Sequence, residues 1–386
     1  MMKEVYITDY NCVTPLGMNV AENWSALLQN QSGIVLHSII ENQEAVYASM
    51  MDTEKLETAF SNNFSELNFT RLEKMFLLCL KPLVERHTIT HNTAFILSTT
   101  KGNISLLKNQ SGLPESVFLS ALAQKIADFF GFKTKPIVVS NACVSGVMAI
   151  GVAKNLIQSG NYNDAFVIAG DEITEFVISG FNSFQAIGPE PCQPYDKNRS
   201  GINIGEATAA AYITGDQYTG QPDEAVSQNE KFRFKILGDS AINDANHISG
   251  PSRTGDGLYA SIKNAMTEAQ LNAEEIDFVS AHGTATIYND EMEAIAFNRM
   301  ELQNIPLNSM KGFYGHCLGA SGLLESIISM ESALHNTLLP SKNFKETGVS
   351  QPLHIIKEQQ PAEIKYILKT ASGFGGCNAA IVLEKC

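Results

Sequence analysis

Lys135-Pro-Ile-Val-Val-Ser-Asn-Ala-Cys-Val-Ser-Gly146 is the stretch that decides the fold. The β-branched run after the proline, Lys135–Ser140, reads as a buried strand. The small residues Asn141–Gly146 then turn the chain into a helix running to about Gln158, where Ser159-Gly160 stops it. A second strand follows at Ala165–Ala169. The second half repeats the plan. Ile305–Ser309 leads through Gly315–Gly322 into a helix from about Leu323 to Leu334, and strands follow at Tyr366–Thr370 and Ala379–Leu383. Glycine and serine at both junctions let a buried helix lie close to neighbouring backbone. Two similar halves predict an α/β fold made by internal duplication, with a site at the seam.

The 386 residues suit two fused halves or one large α/β unit. With 44% hydrophobic and 18% charged residues, a large core forms and global disorder is excluded. Lys plus Arg number 27 against 41 Asp plus Glu, a net charge of −14, so general binding of nucleic acid or anionic membrane is not expected. The opening MMKEVYITDY has no long apolar stretch, and no apolar run reaches the roughly 20 residues of a bilayer span. A soluble, cytoplasmic protein is expected. The seven cysteines include no C-x-x-C, which argues against a disulfide framework or zinc ribbon. His87 and His91 have the spacing of a helical metal pair, but they adjoin the strand-like Thr93–Ser98, so no metal is expected. The loosest stretch, Thr214–Glu230, divides the chain into an N-terminal half, 1–230, carrying Cys143, and a C-terminal half, 231–386.

Three residues stand where a site would be. Cys143 lies between a strand and a helix N-terminus, whose dipole favours thiolate. His282 follows the short strand Ile276–Ser280 in Ala281-His-Gly-Thr-Ala-Thr286, with Asn289, Asp290 and Glu293 opening the next helix. His316 ends Lys311-Gly-Phe-Tyr-Gly-His316, just before the second small-residue helix start. A buried inert cysteine or a lone core histidine is the commoner fate of such residues. Two histidines at equivalent junctions favour chemistry. Ser372-Gly-Phe-Gly-Gly376 is either an oxyanion loop of backbone N–H groups or a plain hairpin turn.

Together these segments resemble the elongating β-ketoacyl-acyl carrier protein synthases of the thiolase-like superfamily. Val5–Thr8, Val13–Gly17 and Asn23–Leu28 look like that family's opening strand and first helix. Asn141–Gly146 resembles its nucleophile turn, and Pro194–Arg199 with Gly205-Glu-Ala207 its central segment. His282–Thr286 with Asn289, Asp290 and Glu293 is similar to the first histidine motif. Lys311–His316 with Leu318–Gly322 and Glu325 is similar to the lysine–histidine motif, and Ser372–Asn378 to the C-terminal glycine loop. The chain is shorter than is usual in the family, between Gly33 and Arg71, Gly102 and Ala121, and Gly188 and Pro194. Ser372 stands where many members have Phe, and Cys377 where Thr is common.

The resemblance implies a thiolase-like fold, two duplicated βαβ-rich halves in a five-layer αβαβα arrangement. It implies a Claisen condensation in fatty-acid or polyene/polyketide synthesis. Cys143 takes the acyl group, malonyl-carrier protein loses CO₂, and the enolate attacks acyl-Cys143. His282 and His316 would hold the enolate, backbone N–H groups of Cys143 and Phe374 the oxyanion, and Lys311 would pair with Glu325 and orient His316. Asp290 would anchor the His282 loop, and Thr284 and Thr286 would bind the pantetheine arm. No bound cofactor or metal is implied, since the phosphopantetheine belongs to the acyl carrier protein. Arg71 and Lys74 fall near a carrier-contacting segment of the family. Members are dimers, here a homodimer or a heterodimer with a homologous subunit. The alternatives are a thiolase, with a second cysteine as acid/base; a starter-type synthase, with Cys, His and Asn; and a chain-length-setting partner subunit, which lacks the nucleophile.

Overall fold

Five strands from each half of the chain join in one ten-stranded sheet. The structure, a computed structural model, describes residues 3–41, 43–65, 68–108, 112–215, 234–248 and 250–386. The first half supplies β1 (Val5–Val13), β2 (Thr93–Ser98), β3 (Ile137–Val139), β4 (Asp164–Asp171) and β5 (Ala207–Gly215). The second supplies β6 (Phe234–Asn243), β7 (Phe278–Ser280), β8 (Leu307–Asn308), β9 (Tyr366–Gly373) and β10 (Cys377–Lys385). The spatial order is β8-β7-β9-β10-β6-β1-β5-β4-β2-β3. From either edge inward the two halves have the same order, third, second, fourth, fifth, first. Within each half the fifth strand runs against the other four, β5 antiparallel to β1 and β4, and β10 to β9 and β6. The halves meet through a short register, Tyr6 opposite Lys235 and Ile7 opposite Phe234. The duplication read from two helix starts is thus repeated in strand order and direction. Apart from Thr214 and Gly215, which end β5, the stretch to Glu230 and the boundary at 230 lie outside the described residues.

Among the helices of the described residues are α1 (Arg71–Arg86), α2 (Leu119–Phe130), α3 (Ser145–Gln158), α4 (Glu175–Ser183), α5 (Asp256–Ala269), α6 (Ile287–Arg299) and α7 (Ser321–Leu334). Strand alternation sorts them into layers. Ala94 and Ile96 of β2, with Ala165 and Val167 of β4, face a core shared with α3, α7 and the second half's Ile367 and Ile381. Their neighbours Phe95, Leu97, Phe166 and Ile168 face α1 and α2. Val279, Leu368 and Val382 turn to α5 and α6. The result is five layers, with α3 and α7 as the buried middle. Both helices are buried along most of their length, as packing between the two halves of the sheet requires. Their starts touch: a Cβ on Gly146 would sit 2.7 Å from Gly319 O and Leu323 N, so this crossing needs glycine.

Helix α3 ends at Gln158 as read from the sequence, and α7 starts two residues before the expected Leu323. Strand β7 begins at Phe278 rather than Ile276. Helix α1 stops at Arg86, which leaves His87 as its C-cap and His91 in the following turn. His87 bonds Asp9 at 2.8 Å and stacks on Tyr212 at 3.9 Å. Among the described residues no His, Cys, Asp and Glu group is placed to hold a metal, and no helix is long and apolar enough to cross a membrane.

Candidate active site

The buried middle helices point their N-termini at a cavity of about 520 Å³ whose walls include Cys143, His282 and His316. Three segments far apart in sequence are brought together there. Cys143 stands on a tight turn in which Ala142 has φ +45°, a left-handed conformation uncommon for a residue with a side chain. The turn is pinned where Ser145 Oγ accepts from Asn141 N at 2.8 Å and donates to Ala142 O at 2.6 Å. Cys143 is 7% exposed. Burial pushes its thiol up to about 12, Cys377 adds to the rise, and Lys311 and the Phe374 backbone N–H oppose it. Burial thus works against the thiolate that the helix N-terminus favours.

His282 is held through its backbone. Its N–H and that of Gly283 donate to the Glu293 carboxylate at 2.8 and 2.7 Å, and Thr284 N donates to Asp290 Oδ1 at 2.9 Å. Asp290 also accepts from Tyr195 N and lies 3.7 Å from Arg199 Nε. Burial first, then Glu293, raises Asp290 to about 7. His316 is held from both sides, donating N–H to Asn203 O at 2.7 Å and accepting from Gly205 N at 2.9 Å. A Cβ on Gly205 would lie 2.0 Å from Tyr314 O, so only glycine admits this approach. The central segment seen in the sequence, Pro194–Ala207, thus fastens both histidine loops.

The imidazoles meet edge to face, their centroids 5.2 Å apart. His316 Nδ1 lies 3.1 Å from Ser321 Oγ, whereas His282 Nδ1 has no hydrogen-bond partner among the described residues. Burial, then Lys311, holds both well below the usual histidine range, and Lys369 acts on each in the same sense. Both rings are therefore neutral N–H donors at neutral pH. Lys311, fully buried, donates to Glu325 Oε1 at 2.8 Å. Burial alone would raise Glu325, but Lys311 and Lys369 outweigh it and keep it ionised.

The glycine loop is the hairpin between β9 and β10, and it is also a wall of the cavity. Phe374 directs its backbone N–H at Cys143, while its ring packs on Phe181 and Phe184 with centroids 5.5 and 5.1 Å away. Ser372 lines the cavity and donates to Asn378 Oδ1 at 2.8 Å. Thr284 and Thr286 line the cavity with their hydroxyls 2.8 Å apart. Cys377 is buried beside the nucleophile turn, its sulfur 3.7 Å from Asn141 O and 3.3 Å from Phe374 O, outside the residues that line the cavity. Sequence reading missed Phe181, Phe184 and Lys369. Phe181 sits in an ordinary helix, Phe184 caps its C-terminus, and Lys369 sits in a strand, with no local signal for any of them.

Arg71 and Lys74 are placed elsewhere, on α1. Arg71 donates to Glu206, fully buried, at 2.5 Å and to Met51 O, and Lys74 to Glu57 at 2.7 Å. Both cations are committed within the chain, which argues against them as a free basic patch for a carrier protein. Opening the Arg71 pair would strand a buried carboxylate.

Comparison with known proteins agrees with this geometry. Residues 2–217 match the family described as "Beta-ketoacyl synthase, N-terminal domain", and residues 234–345 its C-terminal domain. The chain belongs to the β-ketoacyl synthase family, whose members are acyltransferases. It is 27% identical to a putative mitochondrial 3-oxoacyl-[acyl-carrier-protein] synthase of Schizosaccharomyces pombe, covering 100% of this chain and 99% of that one. It is 25% identical to 3-oxoacyl-[acyl-carrier-protein] synthase 2 of Coxiella burnetii over 99% of each. A solved Xenorhabdus doucetiae complex of a ketosynthase with its chain length factor contains a chain of the same fold, with TM-score 0.84, 24% identity and coverage of 100% and 98%. The chain is thus a ketosynthase of the thiolase-like fold.

Proposed function

We propose that this ketosynthase elongates an acyl chain held on an acyl carrier protein, with Cys143 as nucleophile and His282 and His316 as the enolate-binding pair. The observation that carries this reading is the convergence of those three side chains on one cavity. In the first step the Cys143 sulfur attacks the acyl thioester. The acyl–sulfur bond to the carrier breaks, and the carrier's thiol leaves with the proton given up by Cys143. Malonyl-carrier protein then loses CO₂, and the electron pair of the broken bond forms an enolate. Two neutral imidazole N–H groups stabilise its oxygen. The enolate carbon attacks acyl-Cys143, the N–H groups of Cys143 and Phe374 receive the oxyanion, and the Cys143 sulfur departs. Phosphopantetheine arrives with the carrier, along Thr284 and Thr286, and the chain itself needs no bound cofactor.

The rival readings fare less well. A thiolase would aim its second cysteine into the cavity, and Cys377 faces two backbone carbonyls instead. A chain-length-setting subunit lacks the nucleophile that Cys143 supplies. Fatty-acid or polyene/polyketide synthesis in the cytoplasm is the setting that this chemistry fits. The test is acyl transfer from acyl-carrier protein followed by peptide mass mapping. The acyl group is expected on Cys143 alone among the seven cysteines. Finding it on Cys317 or Cys377 overturns the assignment.

We also infer a dimer, with a homodimer favoured over a pair with a homologous subunit. Strand β3, on the edge of the sheet, has Ile137 and Val138 only half-buried and leads straight into the nucleophile turn. An apolar edge of this kind needs a partner. Light scattering of the chain purified alone is expected to give twice the chain mass. A stable monomer contradicts the proposal, and solubility only with a co-expressed homologue supports the heterodimer.

A further inference from the structure

Lys369, on β9, is fully buried and opposite Ser280 of β7 in the parallel register. Its ammonium donates to Ser280 O at 3.2 Å, Ala281 O at 3.3 Å and Glu325 Oε2 at 2.5 Å. The two carbonyls are those immediately before His282. The carboxylate is the one that also holds Lys311. One ammonium therefore ties the strand end carrying His282 to the loop carrying Lys311 and His316. Two ammoniums share one carboxylate, so this cluster is positive on the side of the imidazoles.

We propose that Lys369 is a positioning residue for the reaction, a tethered cation that fixes His282 and supplies the second positive charge behind the imidazole pair. This rests on the function proposed above. A peptide carbonyl that ends a strand and has lost its ladder partner is flexible in direction, and a buried charged donor fixes it. The His282 ring has greater need of such help than His316, because among the described residues its Nδ1 has no hydrogen-bond partner to set its position or tautomer. The charged and titratable groups near the pair include Lys311, Lys369 and Glu325, then Glu293 and Asp290 from α6, and Cys143, while Arg199, Asp244 and His247 line the same cavity. Glu293 and Asp290 are taken up by backbone N–H groups on the far side of the loop. Burial is the first cause that keeps the imidazoles neutral, with Lys311 and then Lys369 acting in the same sense, and a developing enolate meets the field of these two lysines.

The test uses malonyl-carrier protein decarboxylation by the full chain. Lys369→Met keeps the side chain's length, and Lys311 remains to neutralise Glu325, so the variant is expected to fold. Its kcat is expected to fall about 10–100-fold with KM for malonyl-carrier protein little changed, as loss of a group acting on the transition state does. Loss of a nearby cation raises histidine pKa toward its ordinary value, so the acid limb of the rate profile moves up by about one pH unit. Lys369→Ala leaves three oxygens converging on an empty site. Ammonium chloride, compared with choline chloride, is expected to restore its rate about tenfold and leave the wild-type rate unchanged. A folded Lys369→Met variant with wild-type kcat and an unmoved acid limb overturns the proposal. Failure of ammonium to rescue a folded Lys369→Ala variant does the same. A wild-type chain that decarboxylates nothing defeats the proposed function instead, so the two failures are distinguishable.

Discussion

Replacing Cys143 with alanine is expected to abolish condensation, a loss of more than about 10⁴-fold, because among the described residues it is the only thiol that lines the cavity. The change removes one buried sulfur atom. The turn that presents it is held by Ser145 bonds to Asn141 N and Ala142 O, which the substitution does not touch. Thermal unfolding should shift only by an amount matching about 1 kcal/mol. Malonyl decarboxylation should survive, since His282, His316 and the Lys311–Glu325 pair are intact. The separation is the informative result. Condensation is measured as product on the carrier, and decarboxylation as CO₂ release. A Cys143→Ala chain that still condenses at even a hundredth of the wild-type rate rules out the nucleophile assignment.

Replacing His282 or His316 with alanine is expected to give the opposite split. Loss of one preorganised donor to a developing oxyanion costs about 10²–10³ in rate. Decarboxylation should fall by that factor in each variant. Acylation of Cys143, which uses the backbone N–H groups of Cys143 and Phe374, should change by less than about tenfold. The two substitutions differ in what else they disturb. His316 also contacts Ser321 at 3.1 Å, at the start of α7, whereas His282 Nδ1 has no hydrogen-bond partner among the described residues. His282→Ala is therefore the cleaner probe of the enolate role. Decarboxylation within twofold of wild type in both variants removes the pair from the mechanism.

The fold was legible because its signals are local. The strand–turn–helix at Lys135–Gln158 and its counterpart ending at Leu334 show in β-branched runs and small residues, and hydrophobic pattern and glycine placement act over a few residues. The three residues that meet at the cavity were legible for the same reason, each set in a junction beside small residues. Strand ends drifted by a residue or two, as at β7, because a short buried strand is bounded by its pairing partners and not by its own sequence.

What the sequence could not contain was the company these residues keep. It offered two readings of Ser372–Gly376, and folding makes it both a hairpin and a cavity wall. Cys143 at a helix N-terminus promised a thiolate, but ionisation also depends on burial, and folding leaves Cys143 7% exposed and raises its thiol. Arg71 and Lys74 read as surface cations, and folding pairs the first with the buried Glu206, 135 residues away. Lys369 read as one residue of a strand. Only the stacking of β9 against β7 and α7 gives its ammonium the Ser280 and Ala281 carbonyls and Glu325. The sequence by itself determined the duplicated α/β plan and the Cys143, His282 and His316 set, because short-range pattern specifies both. Tertiary structure alone decided protonation, pairing and the lysine cluster, because desolvation and Coulomb forces act between residues that only folding makes neighbours.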